Sequence, residues 1–374
     1  MEGENHMKRR LLSIISLSIA LIMLFCSCGG NSPEENVTPE PPVEEIKAEP
    51  EIVYRSALTG LPVENEAAQN RRPVAIMINN IKKALPQYGI SQAGIVFEAL
   101  AEGGITRLLA VFDDVSGISQ VGTIRSARPY YLDFAQSVDA VYVHIGGSPE
   151  AYSQIKSRKM DSYDLIEGQY NSMYWRDKTR IKQSGYEHSV FTSGDRIMAQ
   201  IEKDNVRMTR GGGYESAFNF SDEAEYSGSD ATKITAVFSS YKTGTYTYDK
   251  SNGLYRIGQY GTSHTDALSG VQLAFKNIFV LRMNSYVIKG DTAGRLRFDS
   301  VGSGTGKYFV NGTATDITWK RDGKSSPFRL YTSDGKELPV VPGDNYVAIV
   351  PLDADVTVTG DATTSNTVNT VNAE

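Results

Sequence analysis

Two arginines, a histidine, a glycine pair and two helix-start signals fall within one stretch, Gly122 to Ile155 (GTIRSARPYYLDFAQSVDAVYVHIGGSPEAYSQI). Arginine suits planar, bidentate binding of carboxylate or phosphate better than lysine does. Arg125 and Arg128, on either side of Ser126, therefore have the chemistry of an anion clamp. His144 is a candidate acid/base group, and Glu98 and Glu102 upstream are its candidate partners or general bases. Each residue also has a structural reading. The glutamates can pair with Arg107, the arginines with Glu98, Glu102 or Asp133, and a strand-end histidine can be a hydrogen-bonded core residue.

The elements that must position these groups are legible around them. Ala140–Ile145 is short, β-branched and aromatic, and reads as a buried strand with His144 at its carboxyl end, where α/β sheets place ligands. Gly146-Gly147 breaks it. Ser148-Pro149-Glu150 then opens a helix: hydroxyl cap, proline in the first turn, acid near the positive end. The same grammar predicts a helix capped by Ser126, with Pro129 in its first turn, running to about Val138. Two helix N-termini then lie near one another, with free N–H groups that attract anions. The candidate ligand-binding set is Arg125, Ser126, Arg128, Gly146, Gly147 and Ser148. Arg176 and Arg180 join it from the cationic loop NSMYWRDKTR, 171–180, where Trp175 offers a stacking face. That loop equally fits a solvated charge run.

Around this stretch, Arg72–Ile78 reads as a strand ending at Asn79-Asn80, and Ala93–Leu100 as a second. Gly103-Gly104 turns the chain into a third, Ile105–Phe112, which brings Glu98, Glu102 and Arg107 together. Ser193 or Asp195 caps a helix from Arg196 to Lys203. Beyond Gly211-Gly212-Gly213 the pattern becomes β. Short apolar runs from Lys233–Phe238 to Tyr346–Val350 are punctuated by Asn-Gly and Asp-Gly pairs, which supply the positive φ that hairpins need. The fold class expected is α+β: a mixed α/β first domain, 54–210, followed by a mainly antiparallel β second domain, 211–352, as a sandwich or partly open barrel. Residues 353–374 read as a disordered tail. His264 and Asp266 lie in a polar turn of the second domain and are too few for a closed metal site.

Composition excludes several classes. The net charge of −6 over 374 residues argues against nucleic-acid binding. Both cysteines, Cys26 and Cys28, lie in the N-terminal segment, so the mature chain has no cysteine nucleophile, disulfide or cysteine metal site. With four histidines in all, no metal and no cofactor is expected. Nothing matches a nucleophile elbow, a P-loop or a zinc-protease helix. The N-terminus reads as a lipoprotein signal peptide, 1–28. It has a basic Met7–Arg10, an apolar Leu11–Phe25 too short to span a membrane comfortably, and a lipobox-like end at Cys28, the expected lipidation site, with Cys26 the runner-up, disfavoured by the bulky Phe25 before it. Residues 29–53 are an acidic, Pro-rich linker; Ser32–Glu51 holds five prolines and seven glutamates against one lysine and stays extended.

These stretches carry a resemblance. RPVAIMINN at 72–80, SQAGIVFEALAEGGITR at 91–107, GTIRSARPYYLDFA at 122–135, HIGGSPEAY at 144–152 and YWRDKTR at 174–180 resemble the YerB-like family of bacterial lipoproteins. GQYGTSHTDALSGVQLAFKNIFV at 258–280 and the run at 294–321 fit it too, so the resemblance covers nearly all of 54–351. It implies N- and C-terminal modules of unknown function and an extracytoplasmic location, with no reaction attached. The chain departs from the family in having Glu187 rather than proline before His188, which weakens a fixed role for that histidine.

The expectation is thus a lipoprotein held to the membrane by its lipid anchor, binding an anionic wall polymer or glycan, or an envelope protein. The alternative is a hydrolase or transferase acting on a cell-wall polymer, with His144 and a glutamate as acid/base. A scaffold without a small-molecule site is the third reading. Convergence of Arg125, Arg128, His144 and a glutamate in one open cleft favours a binder or an enzyme; arginines each buried against a carboxylate favour the scaffold.

Overall fold

A computed structural model describes residues 52–360 except Glu167, Glu225 and Ser227. The signal segment with Cys28, the linker up to Glu51 and the tail from residue 361 lie outside the described residues. Residues 52–360 belong to one compact unit.

Its centre is an eleven-stranded sheet. The strand order is Arg329–Tyr331, Thr313–Arg321, Gly302–Val310, Asn277–Arg282, Asn345–Val350, Ile95–Leu100, Thr106–Phe112, Val74–Asn79, Val141–His144 and Ser162–Asp164, with Ser229–Asp230 pairing beside Thr313–Arg321. Asn345–Val350 is the joint. It pairs parallel with Ile95–Leu100 on one side and with Asn277–Arg282 on the other. Every residue of NYVAIV is buried, as a strand covered on both faces requires. The sequence on either side of residue 210 therefore contributes to one sheet. Hydrophobic burial in that sheet is shared, so neither half can solvate its own edge there.

Among the described residues, five α-helices accompany the sheets: α1 Glu66–Gln69, α2 Pro129–Ser137, α3 Pro149–Ser157, α4 Lys178–Ser184 and α5 Gly194–Lys203. Phe134 of α2 stacks on Phe97 at 5.3 Å, which seats the helix on the sheet. Ser148 caps α3, its hydroxyl accepting from Ala151 N, and Ser193 caps α5. Helix α2 differs from expectation. Its cap position is Arg128, without a side-chain cap bond, and Ser126 lies in extended backbone upstream. The reason is pairing: Ile145 N donates to Arg125 O, Ala127 N to Gly146 O and Ser148 N to Ala127 O, so residues 125–127 are committed to an extended run. The helix begins only where Pro129 fixes φ.

A six-stranded antiparallel sheet follows in the second half. Its order is Thr262–Ser263, Leu254–Gln259, Thr243–Asp249, Lys233–Val237 and Val356–Thr359, with Ala274–Phe275 beside Leu254–Gln259. Alternating burial in Lys233–Val237 marks one packed face. Val356–Thr359, within the stretch read as tail, is ordered by pairing with Lys233–Val237, and Val356 and Val358 pack against the core. Two β-branched residues at period two are enough for an edge strand once a partner strand is present. Leu296–Phe298 pairs with Ser285–Val287 in a separate hairpin.

Candidate functional site

The predicted stretch does not converge on one cleft: Arg125 and Arg128 line different clefts, and His144 lines neither. The 141–144 strand delivers the chain to Gly146, whose φ of 70° takes the turn that L side chains rarely adopt. Gly146 N donates to Asp164 Oδ1 at 2.7 Å and its carbonyl accepts from Ala127 N at 2.9 Å. This knot holds Arg125 beside the turn. Beyond it opens a cleft of about 360 Å³ lined by Arg125, Ile145, Gly146, Ile166, Arg176 and Tyr186, with Glu187 and Val190 completing the wall.

Two guanidinium groups face this cleft in different settings. Arg125 Nη2 donates to Glu187 Oε2, and Nη1 to Glu187 O at 3.4 Å. Glu187 is 62% exposed against 22% for Arg125, so the carboxylate is the mobile partner. The Arg125 hydrogen bond and charge hold its pKa below the usual carboxylate range. Arg176 lies over the Tyr186 ring at 3.6 Å, and its Nη1 donates to Tyr186 O at 2.9 Å. The Nε–H groups of Arg125 and Arg176 are buried without an acceptor among the described residues. His188 stands behind Glu187, with Nδ1 accepting from Asn79 Nδ2 at 2.8 Å; burial is the main cause of its lowered pKa.

The remaining candidates lie elsewhere. Arg128 and Ser148 line a separate cleft of about 280 Å³ with Glu150, Asp291, Arg295 and Arg297. Arg128 there is clamped by Glu102: Nε donates to Oε1 and Nη2 to Oε2 at 2.8 Å. Glu102 also receives Arg107 Nη2 at 3.2 Å. Burial pushes the Glu102 carboxyl up, but the Arg128 hydrogen bond and both arginine charges outweigh it and hold it below its ordinary value. Ser126 contributes its carbonyl to Arg107 Nη1 at 2.5 Å. Gly147 pairs by backbone with Ala127. Arg180 is buried, its guanidinium donating to Ala84 O, Leu85 O and Pro86 O, where it fixes that loop.

His144 is 1% exposed and engaged at both nitrogens. Nδ1–H donates to Gly146 O at 2.8 Å, and Nε2 accepts from Ser162 Oγ at 3.0 Å. Burial keeps its pKa below the ordinary value despite Asp164, 3.8 Å away. Glu98 is wholly buried and ion-paired with Lys242 at 2.8 Å. His144, Glu98 and Glu102 are absent from the lining of the Arg125 cleft.

Sequence reasoning missed Tyr186, Glu187, Ile166 and Val190 as walls of the cleft. The one local signal was the aromatic–acid pair Tyr186-Glu187 following a cationic loop. The rest is brought in by the pairing of Tyr174–Arg176 with Val190–Thr192, which no local pattern announces.

The sequence matches the N-terminal domain of the DUF3048 family, described as proteins of unknown function, over residues 58–207, and the C-terminal domain of the same family over residues 234–347. It is 33% identical over 311 residues to "Putative lipoprotein YerB" of Bacillus subtilis (strain 168), covering 80% of this chain and 87% of that protein. The crystal structure of the YerB protein from Bacillus subtilis resembles it with a TM-score of 0.70 at 32% identity, over 81% of this chain and 99% of that one.

Proposed function

The chain belongs to the DUF3048 family, and from that premise we propose an extracytoplasmic lipoprotein, anchored through Cys28, that binds an anionic cell-envelope ligand at the Arg125–Arg176 cleft. Anchoring is supported by the basic and apolar N-terminal segments ending at Cys28, and by the name of the Bacillus subtilis relative.

The observation that carries the binding reading is Arg125 held by an exposed carboxylate at the mouth of a cleft that also presents Arg176. Glu187 occupies the position an incoming anion would take, and it is free to swing into solvent. Ile145, Ile166 and Val190 give the rest of the wall an apolar character. The ligand class is therefore an anionic group carried on an apolar or ring-shaped body, such as an acidic or phosphorylated glycan of the envelope. Arginine meets the charge bidentately and the Tyr186 side meets the ring. A hydrolase or transferase reading draws no support from the geometry, because His144, Glu98 and Glu102 are each engaged in internal bonds.

The test is calorimetric titration of the full chain in detergent with acidic and phosphorylated wall saccharides. Arg125→Ala/Arg176→Ala is expected to lose at least about tenfold in affinity, the scale of charged hydrogen bonds. Equal binding by the double variant would remove the site. Cys28→Ser is expected to move the protein from the membrane to the soluble fraction; unchanged membrane retention would end the lipid-anchor reading.

A further inference from the structure

We infer a second ligand site, for an acidic or phosphorylated sugar, in the cavity between the Arg55–Asn70 segment and the chain at Thr209–Phe220. It uses none of the residues of the Arg125 cleft and does not depend on that reading. The cavity is the largest of those described, about 730 Å³, within the range of sites for ligands of oligosaccharide or cofactor size. Its 209–220 wall lies entirely between the two regions matched by the family, 58–207 and 234–347.

The carrying observation is Arg210, which lines the cavity with its side chain 5% exposed. One nitrogen, Nη1, donates to Val138 O at a long 3.3 Å. Nε and Nη2 have no hydrogen-bond acceptor among the described residues. Asp113 meets it as an ion pair and not as a hydrogen-bond acceptor: its Oδ1 is 3.6 Å from Nη2, beyond hydrogen-bond range, and its Oδ2 accepts from the Ser56 hydroxyl at 2.6 Å. Arg210 also lies over the Tyr214 ring at 4.4 Å, which holds the guanidinium in place. A buried guanidinium with two unmet donors is costly unless an acceptor reaches it.

The walls supply the rest of the specificity. Gly212 and Gly213 have backbone N–H groups with no acceptor among the described residues, and a Cβ at either would meet nothing within 4 Å. No side chain or backbone crowds this glycine pair, so the wall beside Arg210 leaves room for an acid group. Gln69, Asn70 and Asn219 add carboxamides, which donate to and accept from hydroxyls. A donor-rich, mostly polar cavity of this size fits a polyhydroxylated body bearing one acid group. A carboxylate and a phosphate share that chemistry.

The experiment is thermal unfolding and calorimetric titration of the full chain in detergent with glucuronate, glucose 6-phosphate and glucose. One or both acids are expected to raise the melting temperature, because a ligand of the folded state stabilises it, and glucose is not. Which acid acts tells carboxylate from phosphate. Arg210→Met keeps the apolar stem and is expected to weaken binding at least about tenfold. Gly212→Leu places a side chain in open space at a residue without a left-handed φ, so it keeps the fold and blocks the cavity. Arg125→Ala removes only the part of the shift that comes from the other cleft and is expected to leave the part that Arg210→Met and Gly212→Leu remove. The inference is overturned if neither acid exceeds glucose, if the whole shift survives both Arg210→Met and Gly212→Leu, or if Arg125→Ala abolishes all of it.

Discussion

Lys242 Nζ lies 2.8 Å from Glu98 Oε1, with both side chains almost wholly buried, and the two residues come from opposite sides of the Gly211–Gly213 run. Glu98 also accepts from Asn80 Nδ2 at 2.9 Å, Thr106 Oγ1 at 2.6 Å and the Tyr346 hydroxyl at 2.6 Å. Lys242 donates in addition to Gln259 Oε1 at 2.6 Å. Burial pushes the Lys242 pKa down and the Glu98 carboxylate pulls it back. A carboxylate so fully committed is a fastener between the two halves of the sequence, not a proton carrier.

Removing one partner strands the other. Lys242→Met is expected to cost about 3–5 kcal/mol, the scale for a buried charge left unpaired. Adding Glu98→Gln in the same chain should recover much of it, since the uncompensated charge is gone. Urea unfolding of the two variants decides this; a loss under about 1 kcal/mol in the single variant would mean the Lys242–Glu98 pair does not fasten the two halves.

Glu187 competes with any anion for Arg125. Glu187→Gln is expected to tighten anionic-ligand binding about two- to fivefold, the factor an exposed ion pair of up to about 1 kcal/mol carries. The gain should shrink at high salt, where exposed charges are screened. Calorimetric titration at two ionic strengths reads both effects, and weaker binding by the variant would show that Glu187 contacts the ligand instead.

His264 is buried, its Nε2–H donating to Gln87 Oε1 at 2.8 Å, and burial together with Lys242 pushes its pKa down to about 3. Between pH 3 and its ordinary 6.5 the unfolded chain takes up a proton that the folded chain refuses, so stability falls as pH falls through that window. At pH 5 this linkage amounts to about 2 kcal/mol. His144 and His188, also lowered, act in the same direction. Melting temperature should drop from pH 7 to pH 5, and less steeply in His264→Gln. Identical slopes in the two proteins would exclude His264 as a source.

Asp344 has the opposite sign. Burial, with the charge of Asp113 nearby, raises its carboxyl to about 6 from the ordinary 3.8. Above pH 6 the folded state holds a carboxylate it disfavours, and below about pH 4 the penalty vanishes. Asp344→Asn is therefore expected to stabilise the protein by about 3 kcal/mol at pH 7 and to be nearly neutral at pH 4. Denaturant midpoints at the two pH values test it, and destabilisation at pH 7 would show that the carboxylate makes a stabilising contact.

Local grammar alone determined much of this protein. The strand ending at His144, the Gly146 turn, the Ser148 cap of α3 and the succession of short strands after residue 230 all rest on periodicity, capping and turn chemistry within a few residues. The anion-seeking character of Arg125 and Arg176 likewise lies in their side-chain chemistry. Tertiary structure decided which charges meet. Arg125 and Arg128 are three residues apart, yet they face different clefts, because residues 125–127 are drawn into extended pairing with 145–148 and α2 starts just after. Glu98 could not be told from a general base until Lys242 and Tyr346, far along the chain, were seen to close on it. The insertion of Asn345–Val350 between strands from both halves is likewise invisible locally. Its apolar run says that it is buried on both faces, while its neighbours are chosen by long-range pairing that no window of sequence contains.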